Sequence, residues 1–281
     1  MDKFGKTAQY IAYGRYLEHA KGDKALFQDP YAQAFAGDFG KEFMEAIATQ
    51  VGTTVNILAD YVAIRTKAFD NFAVEAVSAG GCRQVVVFGC GGDSRSHRLL
   101  EGVRVFNVDL PDVIDFRKTI LEPRPQVIEV AADLASPETI WPTALTNGGF
   151  DASQPTLWIL EGLLMYIPPT DQVRLLQAIE TLSAPGSKVV GDVFNNAYMT
   201  AESGQPLLTE WSKWAAPPRT DAAIEEPETF FGRFGFDVEV KGYEHDDLNF
   251  GLISEEERAW WAEHPRVPGE EMPRNLHFFS R

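Results

Sequence analysis

The sequence predicts an α/β fold, a mostly parallel sheet with helices on both faces, and three observations predict it. From residue 84 onward, five short apolar runs rich in β-branched residues recur: "QVVVFG", "RVFNVD", "QVIEVA", "PTLWILEG" and "SKVVGDVF". Helical patterns stand between them at "PDVIDFRKTIL" and "TDQVRLLQAIETLSAPG". The first run passes straight into the glycine-rich turn "GCGGDS". Strands buried on both faces read as near-continuous apolar runs, and parallel neighbours need a crossover, usually a helix.

The elements follow in chain order. In "TAQYIAYGRYLEHA", Tyr10, Ile11, Tyr13, Gly14 and Leu17 recur at helical spacing. "FQDPYAQAFAG" predicts a helix capped by Asp29, with Pro30 at its first position and its end near Gly37. "VNILADYVAIRTKAFDNFAVEAVSAGG" predicts a longer amphipathic helix closed by two glycines. Residues 1–80 therefore read as a helical cap ahead of the sheet. After the fifth run, residues 195–225 form a proline-punctuated, tryptophan-bearing stretch without a strand pattern, which predicts a helical lid insertion. "PETFFGRFGFDVEVKGYE" then gives a helix, a turn at Gly235 and a strand, and "NLHFFSR" gives another strand. The chain reads as one domain over 1–281, without internal repeats.

Bulk composition narrows the function. The 281 residues carry a formal charge of −16, and 44% of them are hydrophobic. Such a surface repels phosphate backbones, so no nucleic-acid partner and no anionic membrane partner is expected. Cys82 and Cys90 are the two cysteines, and their spacing fits neither a zinc site nor a redox pair. With no apolar leader at the N-terminus and no run of membrane-spanning length, the expected location is the cytoplasm.

The glycine turn points to the ligand. A dinucleotide fingerprint needs a small residue at position 94, where this chain has Ser94, and Asp93 precedes it. A dinucleotide sets its pyrophosphate against the helix N-terminus, and a carboxylate there opposes it. S-adenosylmethionine, with a sulfonium, an ammonium and no phosphate, tolerates that carboxylate. Gly89 and Gly91 would let the backbone approach its methionine part. Asp109, twenty positions after Gly89, sits where an acid accepts both ribose hydroxyls, with capping of the next helix the alternative. Asp133 and Leu134 end the third run, where a carboxylate and a backbone N–H can meet the adenine edge, with helix capping again the alternative.

Taken together, "VFGCGGDSRSHRL", "VFNVDLPDVIDFRK", "AADL" and "PTLWILEGLLMYIP" resemble the leucine carboxyl methyltransferase family, from the "TAQYIAYGR" helix to about Gly186. That family includes protein-phosphatase carboxyl methyltransferases and bacterial polyketide carboxyl O-methyltransferases of the tetracenomycin type. The resemblance implies a class I methyltransferase, Rossmann-like, with a seven-stranded sheet whose last inserted strand is antiparallel. It implies S-adenosylmethionine as cofactor, held by Arg65 at its carboxylate, by Gly89, Gly91 and Asp109, by Asp133 with Leu134, and by Glu161 near the methionine end. Ser94 departs mildly from the threonine usual in the bacterial members, and His97 stands where an aromatic residue is common.

Chemistry then selects among acceptors. A carboxylate, with an ordinary pKa near 4, is ionised at neutral pH and needs no base, whereas a phenol, near 10, wants one. Of the five histidines only His97 lies near the cofactor turn. The expected activity is therefore carboxyl O-methylation of a small, polyketide-like molecule. Phenol methylation and methylation of a protein C-terminus stand as alternatives, with a non-catalytic cofactor-binding module behind them. Tyr166, Tyr198, Arg95 and His97 are the candidates for positioning substrate, and no metal is expected. Tyr198, Trp211 and Trp214 can cover a flat acceptor or form the insertion's own core.

Overall fold

A computed structural model describes residues 3, 5–79, 81–136, 140–193, 205–224, 226–240 and 249–255, together with the backbone of 241 and 277–280. Its centre is a seven-stranded sheet in the order β3-β2-β1-β4-β5-β7-β6. The strands are β1 (Gln84–Phe88), β2 (Arg104–Asp109), β3 (Val127–Ala131), β4 (Thr156–Leu160), β5 (Lys188–Val193), β6 (Glu239–Lys241) and β7 (His277–Ser280). β1 to β5 pair in parallel, and β7 inserts antiparallel between β5 and β6. The order reverses at β1, from which the chain runs outward first through β2 and β3 and then through β4 and β5. Ligand crevices open at such switch points, beyond the carboxyl ends of the strands.

Both faces of the sheet are core, as the continuous apolar runs predict. Val86, Phe88, Phe106, Trp158 and Leu160 point into one layer with α7 (Pro169–Thr181). Val85, Val87, Val105, Leu157 and Ile159 point into the other, against Phe69, Ala73 and Ala76 of α3 (Val55–Ser78). This is the period-two alternation of strands applied to a sheet with no wet face. Two short helices, α4 (Arg95–Arg98) and α5 (Pro111–Lys118), follow β1 and β2, and α6 (Trp141–Asn147) follows β3.

The N-terminal helices are α1 (Gly5–His19), α2 (Ala32–Val51) and α3. α2 differs from its expected bounds. It starts at Ala32, because Asp29 is drawn into a 2.9 Å ion pair with Arg15 while accepting from Tyr31 N at 3.2 Å. It also passes through Gly37 as a kink, φ 54° and ψ −167°, and runs on to Val51. At Gly40 a Cβ would come within 2.2 Å of the Gln9 carbonyl oxygen, so the crossing of α1 and α2 depends on this glycine.

Within the expected lid insertion, α8 (Gln205–Trp214) is described, while residues 194–204, which contain Tyr198, and residue 225 lie outside the described residues. α8 packs on α1 and α2. Trp211 meets Tyr10 at 5.0 Å and Phe43 at 4.9 Å, and Trp214 stacks on Phe43 at 5.8 Å. Trp214 is therefore partly buried against the aromatic core of α1 and α2. After α8, Ala216 N donates to the carbonyl of Lys3 at 2.9 Å, tying this segment to the start of the chain. α9 (Pro227–Gly232) precedes β6. Among the described residues, no helix is long and apolar enough to cross a membrane.

Candidate functional site

Beyond the carboxyl ends of β1 to β4 lies a cleft of about 420 Å³, roofed by α1 and α8. The turn after β1 forms its floor. Gly91 has φ +44°, and a Cβ there would sit 2.8 Å from the Cβ of Ala8 on α1, so this glycine answers both a backbone conformation and a close approach.

Three side chains hold the turn in place. Asp109 accepts from Gly91 N and from Leu110 N, each at 2.7 Å. Arg117, with no exposed surface, donates to the carbonyls of Gly91 at 2.9 Å and Asp93 at 2.7 Å. Glu129 grips that guanidinium at 2.9 and 3.2 Å and is steadied by Asn107 at 2.9 Å. Arg15 donates to the Gly92 carbonyl at 2.5 Å, from α1. Burial pushes the Asp109 carboxyl above its ordinary range, and the two amides offset part of that cost. The helix-capping alternative for Asp109 is not what forms: α5 has no side-chain cap. The carboxylate instead braces the glycine turn from β2.

At the methionine end expected for the cofactor, charges cluster. Glu161, at the end of β4, accepts from Arg65 Nε at 3.0 Å and from Arg95 Nη1 at 2.7 Å. Burial opposes its ionisation, but Arg95 and then Arg65 outweigh burial and hold the carboxyl below its usual range. Arg95 also reaches Asp93 at 2.5 Å and Asp70 at 2.7 Å, and Arg98 clasps Asp70 at 2.5 and 2.7 Å. Such buried pairs add little net stability, yet removing one partner strands a charge. Tyr166, on the 3₁₀ turn Leu164–Tyr166, hydrogen-bonds the side chain of Thr7 at the start of α1.

Comparison with known proteins fits this geometry. The leucine carboxyl methyltransferase profile matches residues 8–180. The chain belongs to the leucine carboxyl methyltransferase family. A relative from Mycobacterium marinum, named as a candidate S-adenosyl-L-methionine-dependent methyltransferase, is 37% identical over 222 residues, covering 74% of this chain and 72% of its own. One of like name from Mycolicibacterium smegmatis is 37% identical over 243 residues, 81% and 77% of the two chains. In fold, the chain resembles a DUF574 family protein from Streptomyces avermitilis with TM-score 0.61 at 14% identity, covering 98% of this chain and 95% of the other.

For a leucine carboxyl methyltransferase family member, the cofactor residues expected from sequence do converge. Arg65, Gly89, Gly91, Asp109, Asp133, Leu134 and Glu161 all line the cleft, and so does Tyr166, one of the candidates for positioning substrate. Asp133 is exposed at the end of β3, its Oδ1 accepting from Ala135 N at 2.9 Å. Two of the substrate-positioning candidates fall elsewhere. His97 is turned away: its Nε2 meets the Glu122 carbonyl at 2.8 Å, its Nδ1 meets Ser96 Oγ at 2.9 Å, and its ring packs edge-on against Tyr31. Arg95 lies beneath the cleft floor, where it supports Glu161 without facing substrate.

Asp93 also needs a corrected account. Its negative charge is answered by Arg95, so it offers no free charge to a cation. Its Oδ1 accepts from Arg95 N at 2.7 Å, however, and so fills the amide at the start of α4 where a pyrophosphate would bind. The fit to S-adenosylmethionine thus rests on three features: a glycine cradle, a carboxylate at the end of β2 and another at the end of β3, and the Asp93 carboxylate on the first amide of α4, where a phosphate would bind. Sequence reasoning missed Arg15, Arg117, Glu129 and Asp192. Arg15 and Glu18 lie among the buried residues of α1, so charges at core-facing positions were the signal available.

Proposed function

We propose that the methyl acceptor of this chain is a carboxylate carried by a small, largely apolar molecule. The chain is an S-adenosylmethionine-dependent methyltransferase, on its family membership and the naming of its relatives. When bound, S-adenosylmethionine supplies a methyl group activated on a sulfonium. The residues in reach of it have mainly to orient and to exclude water, since methyl transfer is an in-line displacement. In this reading Asp109 takes the ribose hydroxyls, Asp133 and the backbone at Leu134 the adenine edge, Glu161 the ammonium and Arg65 the carboxylate of the cofactor.

The observation that carries the carboxylate reading is the engagement of His97. Both of its ring nitrogens are occupied outside the cleft, so His97, the histidine nearest the turn in sequence, cannot take a proton from a phenol. The acids lining the cleft favour the same reading. Asp93 and Glu161 are bound by arginines, Asp109 by two amides, and Asp133, given the adenine edge in this reading, accepts the Ala135 amide. A carboxylate acceptor asks for no base.

The shape of the remaining wall supports an apolar body for the acceptor. Ile11, Met165, Ile167, Leu207, Leu208 and Trp211 line it. Trp211 is stiffened by its N–H bond to the Ala216 carbonyl at 3.0 Å and by its aromatic neighbours. A planar polyketide-like acid is one acceptor that suits such a wall. The charge of −16 disfavours acidic protein tails and nucleic acid as partners. The test incubates the protein with methyl-labelled S-adenosylmethionine and three acceptor sets: apolar carboxylic acids, matched phenols, and peptides with a free C-terminal leucine. Label on the acids that mild alkali releases as methanol supports the reading. Alkali-stable label on phenols overturns it, and preference for the peptides replaces the small molecule with a protein.

A further inference from the structure

The end of β5 carries a group that the proposed chemistry does not use. Asp192 is 1% exposed. Its Oδ1 accepts from Gly162 N at 2.6 Å, while its Oδ2 accepts no hydrogen bond and stands 3.6 Å from Nη1 of Arg65. A buried carboxylate oxygen without a donor is costly, and each one in a native protein asks for a reason.

Among the described residues, the charged and titratable groups that face Asp192 are Arg65 of α3, Glu161 at the end of β4, and Tyr166 on the 3₁₀ turn. Burial drives the Asp192 carboxyl up, Arg65 pulls it down, Glu161 pushes it up again, and the balance leaves it at about 6. Glu161 is held ionised by its arginines. Burial keeps the Tyr166 phenol protonated well above the ordinary range. Asp192 is therefore the member of this cluster whose charge changes near neutrality.

We propose that Asp192 takes up a proton when a carboxylate docks on Arg65, so that one buried negative charge replaces another. The proposal rests on the reading of Arg65 as the seat of the cofactor's carboxylate. Without the proton, the arriving carboxylate would be a third anion beside Glu161 and Asp192 around one guanidinium, and like charges in one site drive a proton onto one of them. The proton comes from solvent, lands on Oδ2 and returns when the ligand leaves; no bond to carbon changes. A carboxyl at about 6 is roughly one-tenth protonated at pH 7. A rise of about one to two pH units brings that to between half and nine-tenths, an uptake of roughly 0.4–0.8 proton per bound ligand.

The test titrates the whole protein with S-adenosylhomocysteine by calorimetry at pH 7, in two buffers of different ionisation enthalpy. Wild type should take up a proton fraction in that range. Asp192→Asn should bind with little or no uptake, and an analogue lacking only the ligand's carboxylate should cause none in wild type. Uptake that persists in Asp192→Asn, or that is the same with the decarboxylated analogue, overturns the proposal. If Asp192→Asn does not fold, wild type alone decides: uptake must peak between about pH 6 and 8 and fade on either side, and a flat profile overturns it. Arg65→Ala separates the two failures. If it loses tenfold or more in affinity while uptake proves independent of Asp192, only the proton coupling falls. If it binds as tightly as wild type, the reading of Arg65 falls and takes the coupling with it.

Discussion

Replacing Asp109 probes two jobs held by one carboxylate. In the structure its two oxygens each accept a backbone amide at 2.7 Å, from Gly91 and from Leu110, in a buried position. Alanine leaves the Gly91 amide without its acceptor, which costs about 1–3 kcal/mol of stability. If the same oxygens also hold the ribose hydroxyls, alanine removes charge-assisted bonds worth about 1.5–3 kcal/mol, or roughly a 10- to 150-fold rise in the dissociation constant.

Asparagine separates the two jobs. It keeps the shape but only one acceptor oxygen, its Nδ2 facing the second amide as another donor, so Asp109→Asn should recover only part of the stability while still losing affinity by about tenfold through the missing charge. The assay pairs urea unfolding with calorimetric titration of S-adenosylhomocysteine on wild type and both variants. Wild-type affinity in Asp109→Asn, alongside a stability loss in Asp109→Ala, would show that Asp109 is a brace for the turn and nothing more.

Three further outcomes are expected. His97→Ala should lower turnover less than about tenfold, and cofactor-saturated turnover should be flat from about pH 7 to 9; a rising limb lost in the variant would restore a histidine base. Gly40→Ala places a Cβ 2.2 Å from the Gln9 carbonyl oxygen, and should cost about 1–3 kcal/mol in urea unfolding while weakening cofactor binding, because α1 roofs the cleft. Asp192, at about 6 when folded against about 3.9 in an unfolded chain, is an acid whose folded pKa is raised. Its ionisation therefore costs nothing below about pH 4 and reaches full cost above 6, so wild-type stability relative to Asp192→Asn should fall by on the order of 3 kcal/mol as pH rises through that window; a difference that stays constant or grows would contradict this.

What the sequence made legible was whatever announces itself locally. The five apolar runs became β1 to β5, and the acids that end β2 and β3, Asp109 and Asp133, sit in one crevice because parallel strands deliver their carboxyl ends to one edge. What stayed hidden depends on partners far apart in the chain. Arg117 reads as a charge on a short helix; only the fold brings it under Gly91 and Asp93 with Glu129 behind it. Asp93 looked like a free anion because Arg95, two residues on, gives no sign in sequence of turning back onto it. The kink at Gly37 was hidden for a related reason: a glycine at positive φ marks a helix end in isolation, and packing against α1 carries α2 onward past it.

The same long-range pairing explains why charge at the methionine end can be matched to the cofactor and its product. Asp70, Asp93, Glu161 and Asp192 face Arg65, Arg95 and Arg98, so the cluster carries one surplus negative charge when Asp192 is ionised. S-adenosylmethionine, with sulfonium, ammonium and carboxylate, brings one net positive charge and cancels that surplus. S-adenosylhomocysteine has lost the sulfonium and brings none, so with it the surplus is removed only when Asp192 takes a proton. Proton uptake at pH 7 should therefore be smaller with S-adenosylmethionine than with S-adenosylhomocysteine, and the affinity of the product should rise relative to that of the cofactor as pH falls from about 8 to about 6, levelling off below that. Parallel calorimetric titrations of the two ligands from pH 5.5 to 8 measure both quantities. Equal uptake by the two would mean that the sulfonium lies too far from Asp192 to be felt there, and the charge matching would then belong to Arg65 and Glu161 alone.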